Sequence, residues 1–333
     1  MKYFYAIIIK GYNFIISRKI INKNVWFWRK VRVWLHSHIC HECHVCFGKK
    51  NPDRKFYVIR CPKNDLGFFG VFNFVVFHLK RAEELGAEPV IDLKYYPNDY
   101  IMEDDEVGKK NCWEDYFEQA TEIDIDEVYH SRSVIMATGE YSPSLAETED
   151  ESELKISHAL VERYIRPKKS ILEVCDKKYM ELGMANKRIL GVKCRGTDFA
   201  HARPSKHQIV PDAEQTHSVI EQKETEWGGY DRIFVATEDK GIYESLKSKF
   251  GDRMISNDEN LIDDASGKWL NEMFGGEQLK GSKQERMAEY LVSILLLSRC
   301  DALIAPVIGG TLGAMRLRGH YEHVYLFHLG AYD

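Results

Sequence analysis

The stretch RILGVKCRGTDF, residues 188–199, begins as an apolar run and ends in a polar loop that contains Arg195 and Asp198. A short apolar run bounded by polar residues predicts a buried strand. The same pattern recurs in RIFVATED, residues 232–239, and in DALIAPVIGGT, residues 301–311. Segments with helical periodicity separate the three strands, so the second half of the chain predicts an open parallel α/β sheet.

The loops after these three strands carry the polar residues that suggest a ligand. The carboxyl ends of parallel strands share one edge of a sheet, so we expect the three loops to lie together. Lys193 and Arg195 suit a diphosphate, and Glu238 and Asp239 can accept hydrogen bonds from ribose hydroxyls or a base. The third loop opens a helix at residues 309–311, where bare amides favour an anion. The set predicts a nucleotide-diphosphate pocket.

Each of these loops alone has a simpler explanation. An arginine after a strand is commonly a surface or ion-pair residue, Thr-Glu-Asp before a helix is commonly a cap, and Gly-Gly-Thr is commonly a turn. The order and the positions of the three loops therefore carry the prediction. The sequence has neither GxxxxGK[ST] nor the protein-kinase motifs, which argues against P-loop NTPases and kinases.

The first half of the chain has a similar α/β pattern. RKFYVIRCP, residues 54–62, predicts a strand, and Gly67 and Gly70 predict a flexible turn. Apolar residues then recur with helical spacing over residues 72–85, and EPVID, residues 88–92, predicts a second parallel strand. We therefore expect two Rossmann-like α/β domains that face each other across a ligand-binding cleft.

The predicted domains are an extension over residues 1–53 and two α/β domains over residues 54–166 and 167–333. The first 50 residues hold ten Lys and Arg but one acid, whereas the net charge of the whole chain is −5. No apolar run reaches the ~18 residues that a membrane span requires. A basic, aromatic segment such as residues 1–35 either contacts an anionic membrane surface or packs on the body of the protein.

Two segments raise the question of metal binding. HSHICHECHVC, residues 36–46, holds four His and three Cys, which are zinc ligands. Structural zinc sites usually need two separated ligand pairs, and no second pair follows, so we favour an incidental Cys/His-rich turn. IDID, residues 123–126, predicts a strand-like alternation rather than a metal-binding DxD. The eight cysteines, without an obvious secretory signal, are expected to be reduced thiols.

The motif series GVKCRGTDF, IFVATED and LLLSRCDALIAPVIGGTLGAMRL resembles that of GDP-fucose-dependent fucosyltransferases, including the α-1,6-, α-1,2- and protein O-fucosyltransferases and their bacterial relatives in polysaccharide clusters. The segment GFFGVFNFVVFHLKRAEELGAEPVIDL is similar to the family's glycine–aromatic–Asn loop. The resemblance runs from about Tyr57 to the C-terminus. It implies a two-domain GT-B fold in which residues 167–333 bind the nucleotide sugar and residues 54–166 face the acceptor.

The resemblance also implies a role for each matched residue. Arg195 stands at the family's essential arginine on the donor diphosphate, and Lys193 stands where many members have His. Gly196 replaces a second arginine of the α-1,6 and α-1,2 types, so the pocket is less cationic. The predicted donor-binding residues are Lys193, Arg195, Asp198, Glu238, Asp239, Gly309, Gly310, Thr311 and Asn73.

Sugar transfer builds negative charge on the leaving diphosphate, which Arg195 and the amides of residues 309–311 can stabilise, so no metal cofactor is expected. An inverting transfer also needs a base for the acceptor hydroxyl. The candidate is His207, and Arg195 and His207 are the predicted catalytic residues. The glutamate of the α-1,6 type falls near Arg203, which cannot be a base. Further candidates are Asp104, Asp105, Glu114 and Asp115.

The sequence therefore predicts a glycosyltransferase that moves fucose from GDP-fucose to a glycan or a lipid-linked oligosaccharide by metal-independent inverting chemistry. Its expected place is the cytoplasm, with peripheral contact at the inner face of the membrane. The alternatives are a GT-B transferase with another GDP- or UDP-sugar, and a non-catalytic glycan- or nucleotide-binding protein on a degenerate transferase fold. Nucleic-acid binding is disfavoured because the body of the chain is acidic.

Overall fold

The chain folds into two compact units, each with its own sheet. The computed structural model describes residues 7–8, 11, 42–61, 66–94, 98, 100–101, 106, 109–139, 150–196, 207–257, 261–263 and 281–332. Unit 1 comprises residues 1–144 and 159–168, and unit 2 comprises residues 145–158 and 169–333. The chain thus passes between the units more than once, whereas the sequence predicted a single crossing at residue 166.

Unit 1 is built on a four-stranded sheet of order β1-β4-β2-β3, in which β2 runs parallel to β3 and β4 and antiparallel pairing adds β1 at the edge. The elements are β1 (Cys43–Val45), β2 (Lys50–Arg60), α1 (Phe68–Glu84), β3 (Glu88–Asp92), α2 (Ile125–Val128) and β4 (Ser131–Met136).

The extension predicted over residues 1–53 therefore ends too late, because the sheet of unit 1 already includes β1 and the first residues of β2. Val45 and Phe47 are buried in the same core as Val58 and Val134, and this apolar burial holds the segment in the sheet. Ile8, in the N-terminal segment, also packs against this core. Most of the basic segment, residues 12–41, lies outside the described residues.

Helix α1 begins earlier than the sequence predicted. Gly67 is its N-cap and Gly70 lies inside its first turn, so neither forms the expected flexible turn. Phe68 and Phe69 are buried, and burying one such side chain contributes about 1.5–3 kcal/mol. A glycine inside a helix costs about 1 kcal/mol relative to alanine. The free energy gained by burying the two phenylalanines exceeds the cost of the glycine, so these residues form the first turn of the helix.

The IDID segment is not strand-like. The carboxylate of Asp124 accepts a hydrogen bond of 2.7 Å from the amide of Asp126 and caps the N-terminus of α2. Asp126 also forms an ion pair of 2.6 Å with Lys94. The alternation arises because Ile123 and Ile125 both contact the core on either side of the capping residue.

Helix α3 (Glu151–Tyr164) contains the division between the units, since its residues up to His158 belong to unit 2. The other elements of unit 2 are α4 (Lys169–Glu181), β5 (Ile189–Lys193), α5 (Ala213–Glu226), β6 (Arg232–Ala236), α6 (Lys240–Phe250), β7 (Met254–Ser256), α7 (Lys283–Leu297), β8 (Ala302–Pro306), α8 (Gly309–Arg318) and β9 (His323–Phe327). Among the described helices of both units, none has the length and apolar character to cross a membrane.

The sheet of unit 2 is wholly parallel over its described pairings and has the order β7-β6-β5-β8-β9. The chain starts at β5, adds β6 and β7 on one side, and then adds β8 and β9 on the other. The order therefore reverses between β5 and β8. Open α/β sheets bind ligands outside the carboxyl ends of the strands at such a switch point.

Candidate functional site

The switch point of unit 2 brings together the three loops that the sequence singled out. Arg195 follows β5, Glu238 and Asp239 follow β6, and α8 begins at Gly309 after β8. Because β5 lies between β6 and β8, the arginine loop is flanked by the other two. The predicted convergence of the loops in the second half is thus confirmed within unit 2.

Lys193 is buried and ties the ends of two strands together. Its Nζ donates to the carbonyl oxygens of Cys194 at 2.6 Å and Ala236 at 3.2 Å, and to Oε2 of Glu238 at 3.4 Å. These bonds occupy all three ammonium protons. Burial lowers the pKa of Lys193, and the attraction of Glu238 opposes that shift. The predicted contact of Lys193 with a diphosphate stays a prediction, because its protons are directed at the protein.

Glu238 is the centre of the cluster. Its carboxylate accepts from Lys193, from the amide of Gly196 at 3.2 Å, and lies 3.5 Å from Nε of Arg195. Burial acts to raise the pKa of Glu238, but the attraction of Arg195 and Lys193 prevails and the pKa lies below its usual value. Glu238 is therefore ionised at neutral pH, and it holds Arg195 in place at the end of β5.

Arg195 and Lys193 differ in their access to solvent. The side chain of Arg195 is 17% exposed, whereas that of Lys193 is 2% exposed. Of these two cations, Arg195 is the more accessible to a ligand, and its predicted contact with the donor diphosphate remains a prediction.

Asp239 lies against the backbone of Gly196. Its side chain accepts from the amide of Ile242 at 2.8 Å and caps the N-terminus of α6. A Cβ at residue 196 would lie 2.1 Å from Oδ2 of Asp239, so only glycine fits beside the cap in this arrangement. The capping explanation considered from sequence holds for Asp239, and its predicted contact with the donor remains a prediction.

The first turn of α8 completes the arrangement at the switch point. Ile308 stands at the N-cap and has no side-chain oxygen to accept from the first amides. Gly309 is exposed and Gly310 is buried. Thr311 is buried, and its hydroxyl donates to the carbonyl of Pro306 at 2.7 Å, so the hydroxyl anchors the helix to β8. The predicted contact of residues 309–311 with the donor remains a prediction.

His207 is exposed and lies beside the chain that follows β9. Its carbonyl accepts from the amide of Tyr332 at 2.9 Å, and the amide of Ile209 donates to Gly330 at the same distance. This pairing places His207 towards the carboxyl edge of the sheet, on the β9 side. Its role as the base remains a prediction.

The other predicted residues lie in unit 1 or outside the described residues. Asn73 is buried in α1. Glu114 accepts from Nδ2 of Asn111 at 3.0 Å, and Asp115 forms an ion pair of 2.9 Å with Lys110. The positions outside the described residues are Asp104, Asp105, Asp198 and Arg203.

The sequence analysis missed Tyr290 in α7. Nζ of Lys193 lies 5.8 Å from the centroid of the Tyr290 ring, and the Tyr290 hydroxyl touches the first turn of α8. Its neighbours Glu289 and Leu291 read as an ordinary amphipathic helix. The sequence around Tyr290 gives no sign of a role at the site, because Lys193 and the first turn of α8 are both distant from it in the chain.

The Cys/His-rich segment shows no metal site in its described part. Cys43 belongs to β1, where burial raises its pKa, and the Cys46 thiol donates to the carbonyl of Gly48 at 3.3 Å. Over the described residues, no three His, Cys, Asp or Glu side chains are grouped to hold a metal ion. The zinc alternative therefore depends on residues 36–41, which lie outside the described part.

Unit 1 has an open cavity of about 680 Å³ that is separate from these loops. Its charged lining residues already pair with one another, as Arg54 with Glu88 and Arg163 with Glu83. The cavity borders the start of β3, which is the amino edge of the sheet. Ligands of parallel sheets bind at the opposite edge, so we do not assign the cavity to the candidate site.

No protein-family model matches the chain, and no curated protein matches it significantly. Solved structures do match. The α-1,6-fucosyltransferase NodZ soaked with GDP-fucose has a TM-score of 0.51 and 17% sequence identity, covering 83% of this chain and 96% of NodZ. The selenomethionine form of the fucosyltransferase NodZ from Bradyrhizobium has a TM-score of 0.51 and 15% identity, covering 84% of this chain and 97% of NodZ.

These two matches are similarities of the overall fold. Unit 2 is an open parallel sheet with helices between its strands, and an arginine, two carboxylates and a glycine-led helix lie around its switch point. The chain as a whole has an α/β fold similar to that of the fucosyltransferase NodZ.

Proposed function

We propose that this protein is a glycosyltransferase that uses GDP-fucose as its donor. The observation that supports this most directly is the geometry of unit 2, where Arg195 and the first turn of α8 flank the switch point. The similarity of the fold to NodZ, which was soaked with GDP-fucose, supports the same donor. In this proposal unit 2 binds the donor and unit 1 binds the acceptor, as the two domains of a GT-B transferase do.

In the proposed reaction, the bond between the anomeric carbon and the β-phosphate oxygen breaks, and the electron pair leaves with GDP. Arg195 donates to the developing diphosphate charge, and the amides of residues 309–311 approach it along the helix dipole. These fixed donors stabilise the leaving group without a metal ion. The acceptor oxygen attacks the opposite face of the sugar and loses its proton to a base, for which His207 is the proposed group.

The proposed acceptor is a glycan or a lipid-linked oligosaccharide of a surface polysaccharide. The excess of Lys and Arg among the first 50 residues supports contact of residues 1–35 with an anionic membrane surface. Co-sedimentation with vesicles that contain phosphatidylglycerol, compared between the full chain and a variant with its basic residues before residue 36 changed to Gln, tests this part separately.

Calorimetry with GDP, UDP and ADP tests the donor. Arg195→Ala is expected to weaken GDP binding by about 10- to 100-fold, the value of a hydrogen bond to a charged group. Arg299→Ala is a matched control, because Arg299 pairs with Asp176 at 2.7 Å and precedes β8 at the other edge of the sheet. Equal affinity for the three nucleotides, or an unchanged affinity of Arg195→Ala, would contradict the proposal.

A specific observation favours a second candidate, a nucleotide- or glycan-binding protein without transferase activity. In the described part of the site, the cations of Lys193 and Arg195 both pair with the carboxylate of Glu238, which offsets part of the positive charge that a leaving diphosphate would need. Mass spectrometry of GDP release from GDP-fucose and other nucleotide sugars separates the candidates. Tight binding of GDP, without release of a nucleotide from any of the nucleotide sugars, would favour the binding protein without transferase activity.

A further inference from the structure

Tyr290 lies between the two sides of the switch point. Its ring faces Lys193, whose Nζ is 5.8 Å from the ring centroid. Its hydroxyl oxygen lies over Gly310, because a Cβ at residue 310 would be 2.5 Å from it. Lys193 ends β5, and Gly310 belongs to the helix after β8. Tyr290 therefore bridges the strand and the helix between which the order of the sheet reverses.

The contact with Gly310 depends on one atom. Cβ atoms do not approach an oxygen as closely as 2.5 Å, so the hydroxyl fits only because residue 310 has no side chain. The next neighbours of that Cβ would be Ile294 Cδ1 and Tyr290 Cζ, both at 3.5 Å, which is an ordinary contact distance. The hydroxyl alone therefore limits how the first turn of α8 sits against α7.

The phenol is neutral at this place. Burial raises the pKa of Tyr290, while Arg195 lowers it and Glu238 raises it. The hydroxyl therefore keeps its proton at neutral pH, and its position reflects packing between the charged cluster and the helix.

We infer that Tyr290 is a positioning residue of the donor site, whose hydroxyl sets the separation between the first-turn amides of α8 and Arg195. This inference rests on the proposed function. Both groups are proposed to bind one diphosphate, and a small displacement of one group from the other removes the shared geometry on which tight binding depends. Tyr290 acts through Gly310 and Lys193, without any need to touch the donor itself.

A double-mutant cycle tests this role with the variants Gly310→Ala, Tyr290→Phe and the combination of both. Gly310→Ala is expected to weaken GDP binding and to raise the donor KM by about tenfold, because the methyl group collides with the hydroxyl. Tyr290→Phe alone keeps the ring and is expected to change both values by about threefold or less. The double variant removes the collision and is expected to return to the level of Tyr290→Phe.

Two controls separate positioning from stability. Tyr321→Phe removes a buried hydroxyl that donates to Leu297 at 3.1 Å in the same unit, so it is expected to lower the unfolding temperature without changing GDP affinity. Gly67→Ala places a methyl group where no heavy atom lies within 4 Å, and it is expected to leave GDP affinity unchanged.

The outcomes distinguish the inference from the proposed function. If Gly310→Ala binds GDP like the unmutated chain, or if the double variant binds as weakly as Gly310→Ala, the inference is overturned and the proposed function stands. If the unmutated chain does not bind GDP, both are overturned. If Gly310→Ala fails to fold, a double variant that folds and binds GDP supports the inference, and one that also fails to fold overturns it.

Discussion

Each unit buries a polar cluster around a strand residue, and the two clusters deal with charge in different ways. In unit 1 the Tyr57 hydroxyl lies 3.0 Å from Nδ1 of His78, and both side chains are fully buried. Burial lowers the pKa of His78 to about 4, so the imidazole is neutral at pH 7. The adjacent ion pair between Glu42 and Arg81 lies at the partly exposed rim.

In unit 2 the charge is retained. Lys193 is buried at the end of β5 and stays compensated by Glu238, which also holds Arg195. Keeping buried charges costs several kcal/mol of desolvation, which pairing only partly offsets. The cluster around Tyr57 avoids this cost because His78 is neutral, although Arg60 and Asp92 elsewhere in unit 1 are also buried. The charge retained in the cluster of unit 2 supports the proposal of an ionic ligand at its carboxyl edge.

The largest effect is expected for Lys193→Met. The change removes the buried partner of Glu238 and leaves the carboxylate with Arg195 alone of these two cations, and breaking a buried ion pair costs about 3–5 kcal/mol. Urea unfolding gives the free energy of unfolding, and hydrogen exchange of peptides from β5 and β6 assigns the loss to unit 2. Lys177→Met, at a side chain that is 76% exposed, is the matched control. Unchanged stability together with lost GDP binding would instead return Lys193 to the ligand role predicted from sequence.

The next effect is a pH dependence that the buried histidine of unit 1 should produce. Free histidine has a pKa of about 6.5, and that of buried His78 is about 4. Below pH 6.5 His78 binds a proton in the unfolded chain but not in the folded unit. The free energy of unfolding therefore falls as the pH drops from about 6.5 to 4. The total loss from this group is roughly 3 kcal/mol.

Urea unfolding between pH 7 and pH 4.5 measures this loss. His78→Gln can still form a hydrogen bond with Tyr57 but does not titrate, so its stability should vary less with pH than that of the unmutated chain. The pKa of Glu238 lies below its usual value, so unit 2 keeps its ion pair over this range. A parallel loss of stability in His78→Gln would remove the proposed difference between the clusters.

The sequence predicted the strands that carry these clusters better than the clusters themselves. β5, β6 and β8 lie within the predicted segments, because a buried parallel strand is a continuous apolar run. The convergence of their loops follows from the topology of such sheets. The sequence therefore predicted that the three loops share one edge of the sheet in unit 2, which is where they lie.

The partners inside the site could not be predicted from sequence. Lys193 and Arg195 are two residues apart, so strand alternation predicts the same face for both, yet Lys193 is buried and Arg195 is partly exposed. Tyr290 meets Gly310 only through the packing of α7 on α8. Gly70 was taken for a turn because glycine favours turns, although burial of Phe68 and Phe69 decided the local structure.

A smaller effect is expected at the crowded backbone of unit 2. In Gly196→Ala the new Cβ would meet Oδ2 of Asp239 at 2.1 Å, so the N-cap of α6 must move. Overpacking of this kind costs about 1–3 kcal/mol. Adding Asp239→Ser keeps an N-cap oxygen on a shorter side chain and should recover part of the loss. Thermal unfolding of the single and double variants measures both steps, and equal melting temperatures would show that Asp239 is not the obstacle.

The smallest effect is expected at the rim of the cluster in unit 1, where Glu42→Gln removes the carboxylate that Arg81 binds at 2.9 Å. The Arg81 side chain is 43% exposed, so water replaces much of the lost attraction and the cost is about 1 kcal/mol or less. The same change at Glu238 leaves Lys193 without its counter-charge and should cost several-fold more. Urea unfolding of the two variants compares like with like, because each replaces one carboxylate by its amide. A loss at Glu42→Gln as large as that at Glu238→Gln would mean that unit 1 also depends on a retained charge, and retained charge would then no longer distinguish the candidate site.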